Sequence, residues 1–210
     1  ISADAELFSV ITTFLEGVGL TEEDVVIRVS SRKVLEEVLG SLGIEGDKFA
    51  QTCIIVDKMD KLSPEVINKQ LSELGHTSEI ISTIQSTLGL KNLNSLKKLL
   101  NSDSKALQEL TELFDAIDSY GISDWVKFDG SIVRGLAYYT GSVFEVNDRK
   151  GKFRAICGGG RYDTLLSTLG GKDLPATGFG FGDMVIMELL KDKGLLPQLL
   201  SGVEDVVIAL

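Results

Sequence analysis

Residues 134–163, reading RGLAYYTGSVFEVNDRKGKFRAICGGGRYD, leave the chain little choice of local structure. Ser142, Val143, Phe144, Glu145 and Val146 form an alternating run suited to a half-buried strand. Asn147, Asp148, Arg149, Lys150 and Gly151 tolerate tight backbone geometry, so the chain turns there, and Lys152 to Cys157 returns as the second strand of an antiparallel hairpin. Gly158, Gly159 and Gly160 follow, and a strand without side chains lets a ligand lie directly on the backbone.

The residues flanking these glycines indicate what such a surface would bind. Arg134 carries a permanent charge that forks onto carboxylate or phosphate, while Tyr138 and Tyr139 offer flat apolar faces with hydroxyls for a polar heterocycle. An amino acid or a nucleotide suits this set. Each signal also has a plainer explanation, since tyrosine pairs pack in cores and glycine triplets mark bulges.

In this order and at this separation, RGLAYYTGSVFE and GGGRYD resemble the two histidine-specific motifs of the histidyl-tRNA synthetase family, a class II aminoacyl-tRNA synthetase. DAELFSVITTFLEGVGL and DVVIRVSSRKVLEEVL are similar to the segment that follows motif 2 in that family. GFGFGDMVIMELLKDKGLLP resembles its motif 3 region in the form found in plant organellar members. The resemblance covers essentially the whole chain. It implies an α+β fold, part of the class II antiparallel sheet with flanking helices, plus an inserted small helical module.

Charge and rare residues narrow the chemistry. The chain has 210 residues with a net charge of −10, which repels a polyanion, so affinity for tRNA must come from local basic patches or from other parts of the protein. Arg149, Lys150, Lys152 and Arg154 at the hairpin turn, and Lys91, Lys97 and Lys98, are the candidate patches, with simple solvation as the alternative. Cys53 and Cys157 lack metal-ligand spacing and are expected to be reduced thiols of an intracellular protein, and no metal site is expected. His76 is the sole histidine and lies in a polar turn after Gly75, so it is expected to be exposed and not catalytic. No apolar run is long enough to span a membrane, and nothing reads as a signal peptide.

Along the chain, Ser2 or Asp4 caps a first helix with Ala5, Leu7, Phe8, Ile11, Phe14 and Leu15 at helical spacing. Asp24 to Val29 is β-branched and predicts a core strand, after which Ser30 and Ser31 cap a helix through Leu42. Arg28 and Arg32 could reach a ligand, but strand-edge and helix-surface arginines are usually solvated, so neither is assigned a role. Residues 1–44 thus form one part of a catalytic core. Residues 45–122 read as a helical module of short amphipathic segments, with a start at Ser63-Pro64. Residues 123–200 return to the core, with a strand from Trp125 to Phe128, a helix from Tyr162 to Leu169, a strand from Ala176 to Gly182, and a helix from Met184 capped by Asp183. Residues 201–210 read as a linker and the first strand of a truncated anticodon-binding domain.

The resemblance carries functional expectations. It implies ATP-dependent activation of histidine to histidyl adenylate, with Mg2+ accompanying the nucleotide and no bound prosthetic group, then transfer to the 3′ end of tRNA(His). Arg134 would contact the α-phosphate and the histidine carboxylate as the catalytic residue. Tyr138 and Tyr139 would line the histidine pocket, Gly158, Gly159 and Gly160 would form its floor, Tyr162 would lie near the substrate amino group or ring, and Gly178, Gly180 and Gly182 would shape an adenine site, with a purely packing role as their alternative. Arg161 and Asp163 would be structural. A homodimer is implied for the full-length protein, with plastid or mitochondrion as its compartment and cytoplasm otherwise. The helical module would hold the tRNA acceptor arm.

Two departures stand out. Where the motif 3 pattern ends in Glu-Arg, this chain has about Met184 and Val185, which leaves the γ-phosphate without its arginine unless Arg161 or a group elsewhere replaces it. Motifs 1 and 2 have no counterpart in these residues, so a fragment inactive by itself is expected. The alternative is a non-catalytic regulatory paralogue that senses histidine or tRNA. A dinucleotide-binding oxidoreductase fits poorly, because GFGFG lacks the required spacing and distal acid.

Overall fold

The computed structural model describes residues 1–59, 62–101, 103–136 and 138–197. Its centre is a five-stranded sheet in the order β2-β1-β3-β4-β5, built from β1 (Val25–Ser31), β2 (Val126–Phe128), β3 (Ser142–Asp148), β4 (Cys157–Arg161) and β5 (Thr177–Phe181). Three neighbouring pairs are antiparallel, but β2 runs parallel to β1, so the sheet is mixed. The helical segment between β1 and β2 is a long crossover, and such a connection brings a strand back in the same direction.

Three helices cover one face of the sheet. The apolar stripe of α1 (Ser2–Gly17), Ala5, Phe8, Ile11 and Leu15, packs with Leu113 and Ile117 of α7 (Lys105–Ser119) and with Ile186, Leu189 and Leu190 of α9 (Asp183–Lys193). Their partners are the inward side chains Val25, Ile27, Val29, Phe144, Val146 and Cys157. Burying a set of large apolar side chains at about 1.5–3 kcal/mol each is what holds these layers together. Helix α1 begins at Ser2 without a side-chain cap, because Asp4 turns inward to Arg161.

A second apolar cluster joins Leu35 and Leu39 of α2 (Arg32–Gly40) to α3 (Gly46–Val56), α4 (Pro64–Glu73) and α5 (Ser78–Leu88), and Val133 from the core enters it. A third joins Val34, α6 (Leu93–Leu99), the start of α7 and Phe128 of β2. Ser31, Thr77, Asn92 and Ser104 each accept a backbone N–H in the first turn of α2, α5, α6 and α7, so these starts follow the capping residues in the sequence.

Four local expectations are corrected. The hairpin's second strand is not Lys152 to Cys157: Asp148 accepts hydrogen bonds from the Lys152 and Phe153 amides, which folds that segment into a loop, and the strand is Cys157–Arg161, the glycines themselves. The helix after Tyr162 is one turn, α8 (Leu165–Thr168). Gly182, not Asp183, is the N-cap residue of α9. His76 is only 5% exposed: its Nε2 lies 2.7 Å from the Thr52 hydroxyl and its buried Nδ1 has no partner, because the turn at Gly75 folds it back into the helical cluster. The predicted strand at Val206 to Leu210 lies outside the described residues.

Candidate functional site

Register sorts the residues of the sheet into two faces. Cross-strand partners share a face, so Arg28, Glu145, Gly158 and Gly180 form one row, with Ser30, Val143, Gly160 and Gly178 in the next row of that face. The opposite face carries Val29, Phe144, Gly159 and Phe179, which turn toward the covering helices. Gly159 is therefore no part of a ligand floor. Its lack of a side chain serves packing, because a Cβ there would fall on the Gly178 carbonyl oxygen and lie 2.8 Å from Phe179 Cβ. Gly182 lies just past β5 and before α9, and its amide donates to the Ile156 carbonyl.

Arg134 lies across the open face. Its Nη1 is 2.6 Å from Glu145 Oε1, and a Cβ on Gly158 would be 2.7 Å from the same nitrogen. Burial works against the guanidinium charge, but the Glu145 carboxylate and the Tyr139 hydroxyl outweigh it and raise the pKa above the ordinary arginine value. The backbone of Arg134 is left-handed, with φ +55°, a conformation that costs a non-glycine residue about 1 kcal/mol or more.

Three tyrosines wall the glycine floor. The Tyr139 ring would be 3.0 Å from a Cβ on Gly160, and the Tyr162 hydroxyl 2.5 Å from one on Gly178. Tyr138 bridges them, with its ring centroid 4.7 Å from that of Tyr139 and 5.8 Å, edge on, from that of Tyr162. Burial, together with the neighbouring Tyr138 hydroxyl, pushes the Tyr139 phenol up to about 12, so it stays neutral at physiological pH. Gly180 has open space above it within 4 Å. Beyond Arg134 the same face opens into a cleft of about 1390 Å³ that passes Glu145 and Asn147 and reaches Asp57 and Lys58 at the end of α3.

A polar network underlies the cleft. Arg28 Nε and Lys91 Nζ hold the two oxygens of Asp129 at 2.8 and 2.6 Å, and Ser131 donates to it as well. Burial would raise the Asp129 carboxyl pKa, but Lys91, Ser131 and Arg28 together hold it below its ordinary value. The expectation that Arg28 and Arg32 are solvated is thus corrected. Arg32 is 6% exposed and donates to the carbonyls of Arg134 and Leu136.

Motif 3 offers no cation here. Met184 is 69% exposed and Val185 packs partly on the core. Arg161 does not replace it: its guanidinium is held by Asp4 at 2.9–3.0 Å and by Asp163 at 3.0 Å, and the carboxylates raise its pKa against the effect of burial. The basic patch at the hairpin turn is also partly consumed, since Arg149 donates to the carbonyls of Glu22 and Asp124 and Lys152 pairs with Asp192. Glu145, Asp129 and Arg32 are site residues that pattern reading misses. The signal for Glu145 was available, because a strand pairing that places it opposite Gly158 puts a carboxylate beside the motif arginine.

A sheet of this order, with one face covered by helices and the other paved with glycine and walled by tyrosine, defines the catalytic-core fold of a class II aminoacyl-tRNA synthetase. The structure of histidyl-tRNA synthetase from Nostoc sp. PCC 7120 superposes with a TM-score of 0.81 at 28% identity over 93% of this chain and 48% of that one. An ATP phosphoribosyltransferase regulatory subunit/histidyl-tRNA synthetase from Bacillus halodurans C gives 0.72 at 27% identity, over 90% of this chain and 50% of that one. The family model for histidyl-tRNA synthetase matches residues 1–183, and the chain belongs to that family. It is 51% identical over 210 residues to the chloroplastic/mitochondrial histidine–tRNA ligase of Arabidopsis thaliana, all of this chain aligning with 43% of that protein. The chain therefore spans less than half the length of this relative.

Proposed function

We propose that this chain works within a histidine–tRNA ligase. A carboxylate oxygen of histidine attacks the α-phosphorus of ATP, the bond to the bridging oxygen breaks, and pyrophosphate leaves; a hydroxyl of the 3′-terminal ribose of tRNA(His) then attacks the carbonyl carbon of the adenylate, the acyl–phosphate bond breaks, and AMP leaves. Such a reaction needs two anions held in line and charge stabilised at the α-phosphate, which a preorganised guanidinium supplies. The observation that carries the reading is Arg134 lying across Gly158, held by Glu145 beside the tyrosine wall. In this reading Arg134 binds the α-phosphate and the histidine carboxylate. Tyr138, Tyr139 and Tyr162 surround the histidine ring, with Gly158 and Gly160 beneath, and Gly178 and Gly180 receive the flat face of the adenosine.

Mg2+ enters with the nucleotide. Of the carboxylates that line this cleft, Glu145 and Asp129 are already ion-paired, and no group of three metal-ligating side chains occurs among the described residues. Residues 45–122 form the module that receives the acceptor arm, the full-length protein is a homodimer, and its compartment is a plastid or mitochondrion, as the name of the Arabidopsis relative suggests. No helix among the described residues is long and apolar enough to cross a membrane.

The test is histidine-dependent exchange of labelled pyrophosphate into ATP by the full-length protein and its Arg134→Ala variant. Loss of one preorganised donor costs about 3 kcal/mol or more, so exchange falls at least ~100-fold in the variant. A regulatory paralogue is the second reading, favoured by the absence of a cation at Met184 and Val185. A folded, histidine-binding parent with no exchange would establish it.

A further inference from the structure

We infer that Arg32 is a positioning residue for Arg134, and that Phe49 on α3 completes a clamp through which the helical module sets the geometry of the site. This kinetic consequence rests on the reading of Arg134 given above; the clamp itself does not.

Arg32 occupies an expensive place. It is the first residue of α2, where the helix dipole disfavours a cation, and it is 6% exposed. No carboxylate among the described residues lies within ion-pair distance of it. Its compensation comes from two backbone carbonyls, Arg134 O at 3.3 Å and Leu136 O at 2.9 Å, and from the face of Phe49, whose ring centroid is 5.6 Å from the guanidinium carbon. One nitrogen, Nη1, donates to both carbonyls, two residues apart, while the planar guanidinium rests on Phe49, and together these contacts hold the path of the backbone between them.

That backbone is the strained one. Arg134 has φ +55°, and a conformation of this kind persists only where its surroundings over-determine it. Each neighbour of Arg134 is tied to the helical segment. Val133 is buried in the cluster of α2 to α5. Gly135 lies so close to Asp57, just beyond the end of α3, that a Cβ there would be 2.7 Å from Oδ2. Leu136 is held by Arg32, which in turn rests on Phe49 of α3. The side chain of Arg134 then reaches Glu145 on β3. The helices thus hold the backbone of the arginine while the sheet holds its charge, and a shift of α3 against the sheet displaces the guanidinium from the face where the phosphate would lie.

The experiment uses the full-length protein carrying Arg32→Lys, Phe49→Leu, Arg134→Ala and the double change Arg32→Lys with Arg134→Ala. Lysine keeps the charge but loses the planar group that rests on Phe49 and fixes Nη1 between the two carbonyls. A misplacement of about 1 Å costs up to ~100-fold in rate, so Arg32→Lys should lower kcat for pyrophosphate exchange by about 10- to 100-fold, more than it changes either KM. Phe49→Leu should lower it about 3- to 10-fold. In the Arg134→Ala background Arg32→Lys should cost nothing further, because its effect passes through the missing side chain. Amide hydrogen exchange of the 132–136 segment should speed up in both single variants. Losses that multiply in the double variant, or a 132–136 segment equally protected in every variant, overturn the proposal. If Arg32→Lys does not fold, Phe49→Leu, alone and combined with Arg134→Ala, decides by the same two readouts. Should the parent show no exchange of pyrophosphate at all, the ligase reading falls, and the amide measurement still decides the clamp.

Discussion

Alanine should act in opposite ways at two glycines in neighbouring strands. Gly180 has no atom within 4 Å of a built Cβ, and its backbone is not in the left-handed region. Glycine in a strand interior is destabilising by roughly 0.5–1 kcal/mol relative to alanine, so Gly180→Ala should stabilise by that amount and raise Tm by about 1–4 °C. The same methyl would stand on the floor that the proposed adenosine occupies. A ligand in van der Waals contact with that floor would be overpacked at a cost of about 1–3 kcal/mol, which is a rise of roughly 5- to 150-fold in its KM. Gly159→Ala has no such freedom. Its Cβ would meet the Gly178 carbonyl and Phe179, both fixed by the β4–β5 ladder, so about 3 kcal/mol or more of stability should be lost with that pairing. Thermal melts and KM for ATP and histidine in the exchange assay separate the two. A Gly180→Ala protein with raised Tm and both KM values unchanged would refute the placement of a ligand on this face. A Gly159→Ala protein as stable as its parent would refute the assignment of faces.

Three further outcomes follow from buried groups. Burial, with Lys48 nearby, lowers the His76 pKa, so the folded ring stays neutral where an unfolded one takes a proton near pH 6.5; stability should be level above that pH and decline as pH falls through it. Urea midpoints at pH 7.5 and 5.5 should differ in the parent and converge in His76→Gln, and a parent midpoint equal at both pH values would contradict this. Asp129→Asn should cost about 2 kcal/mol at pH 7 by leaving Arg28 and Lys91 without their carboxylate, and the gap from the parent should close as pH falls below about 4, because a depressed carboxyl pKa stabilises only above it. Cys53 and Cys157 are buried thiols pushed by desolvation to about 11 and about 12, so a disulfide reagent at pH 7.5 should read neither in the native protein and both after unfolding.

Local pattern carried most of the secondary structure. The helical periodicity of Ala5, Phe8, Ile11 and Leu15, and the cap at Ser31, act within a few residues, and those two helices lie where the sequence places them. The errors occur where a distant partner decides. Lys152 to Ala155 alternates plausibly, yet Asp148 captures the amides of Lys152 and Phe153 and the strand starts later. β2 is parallel because of how the chain returns to the sheet, a matter of topology that its three residues cannot encode. His76 is polar and follows a glycine, both surface signals, but Thr52, twenty-four positions earlier, supplies its hydrogen bond inside the helical cluster.

The site divides in the same way. Motif residues point to a binding face because the structure gathers Arg134, the three tyrosines and the glycines on one side of the sheet. Taking Gly158, Gly159 and Gly160 as one floor, however, overlooks a rule that strands impose: successive residues face opposite ways, so a triplet offers a ligand at most two of its members and gives the third to packing. Arg134 shows the deeper limit. No local propensity places an arginine at φ +55°, and the groups that hold it there are Arg32, about a hundred residues earlier in the chain, and Glu145 on β3. If those contacts set the conformation, an isolated peptide with the RGLAYYTGSVFE sequence should leave that arginine in ordinary extended or helical backbone, and chemical shifts of such a peptide showing a populated left-handed arginine would return the cause to the local sequence.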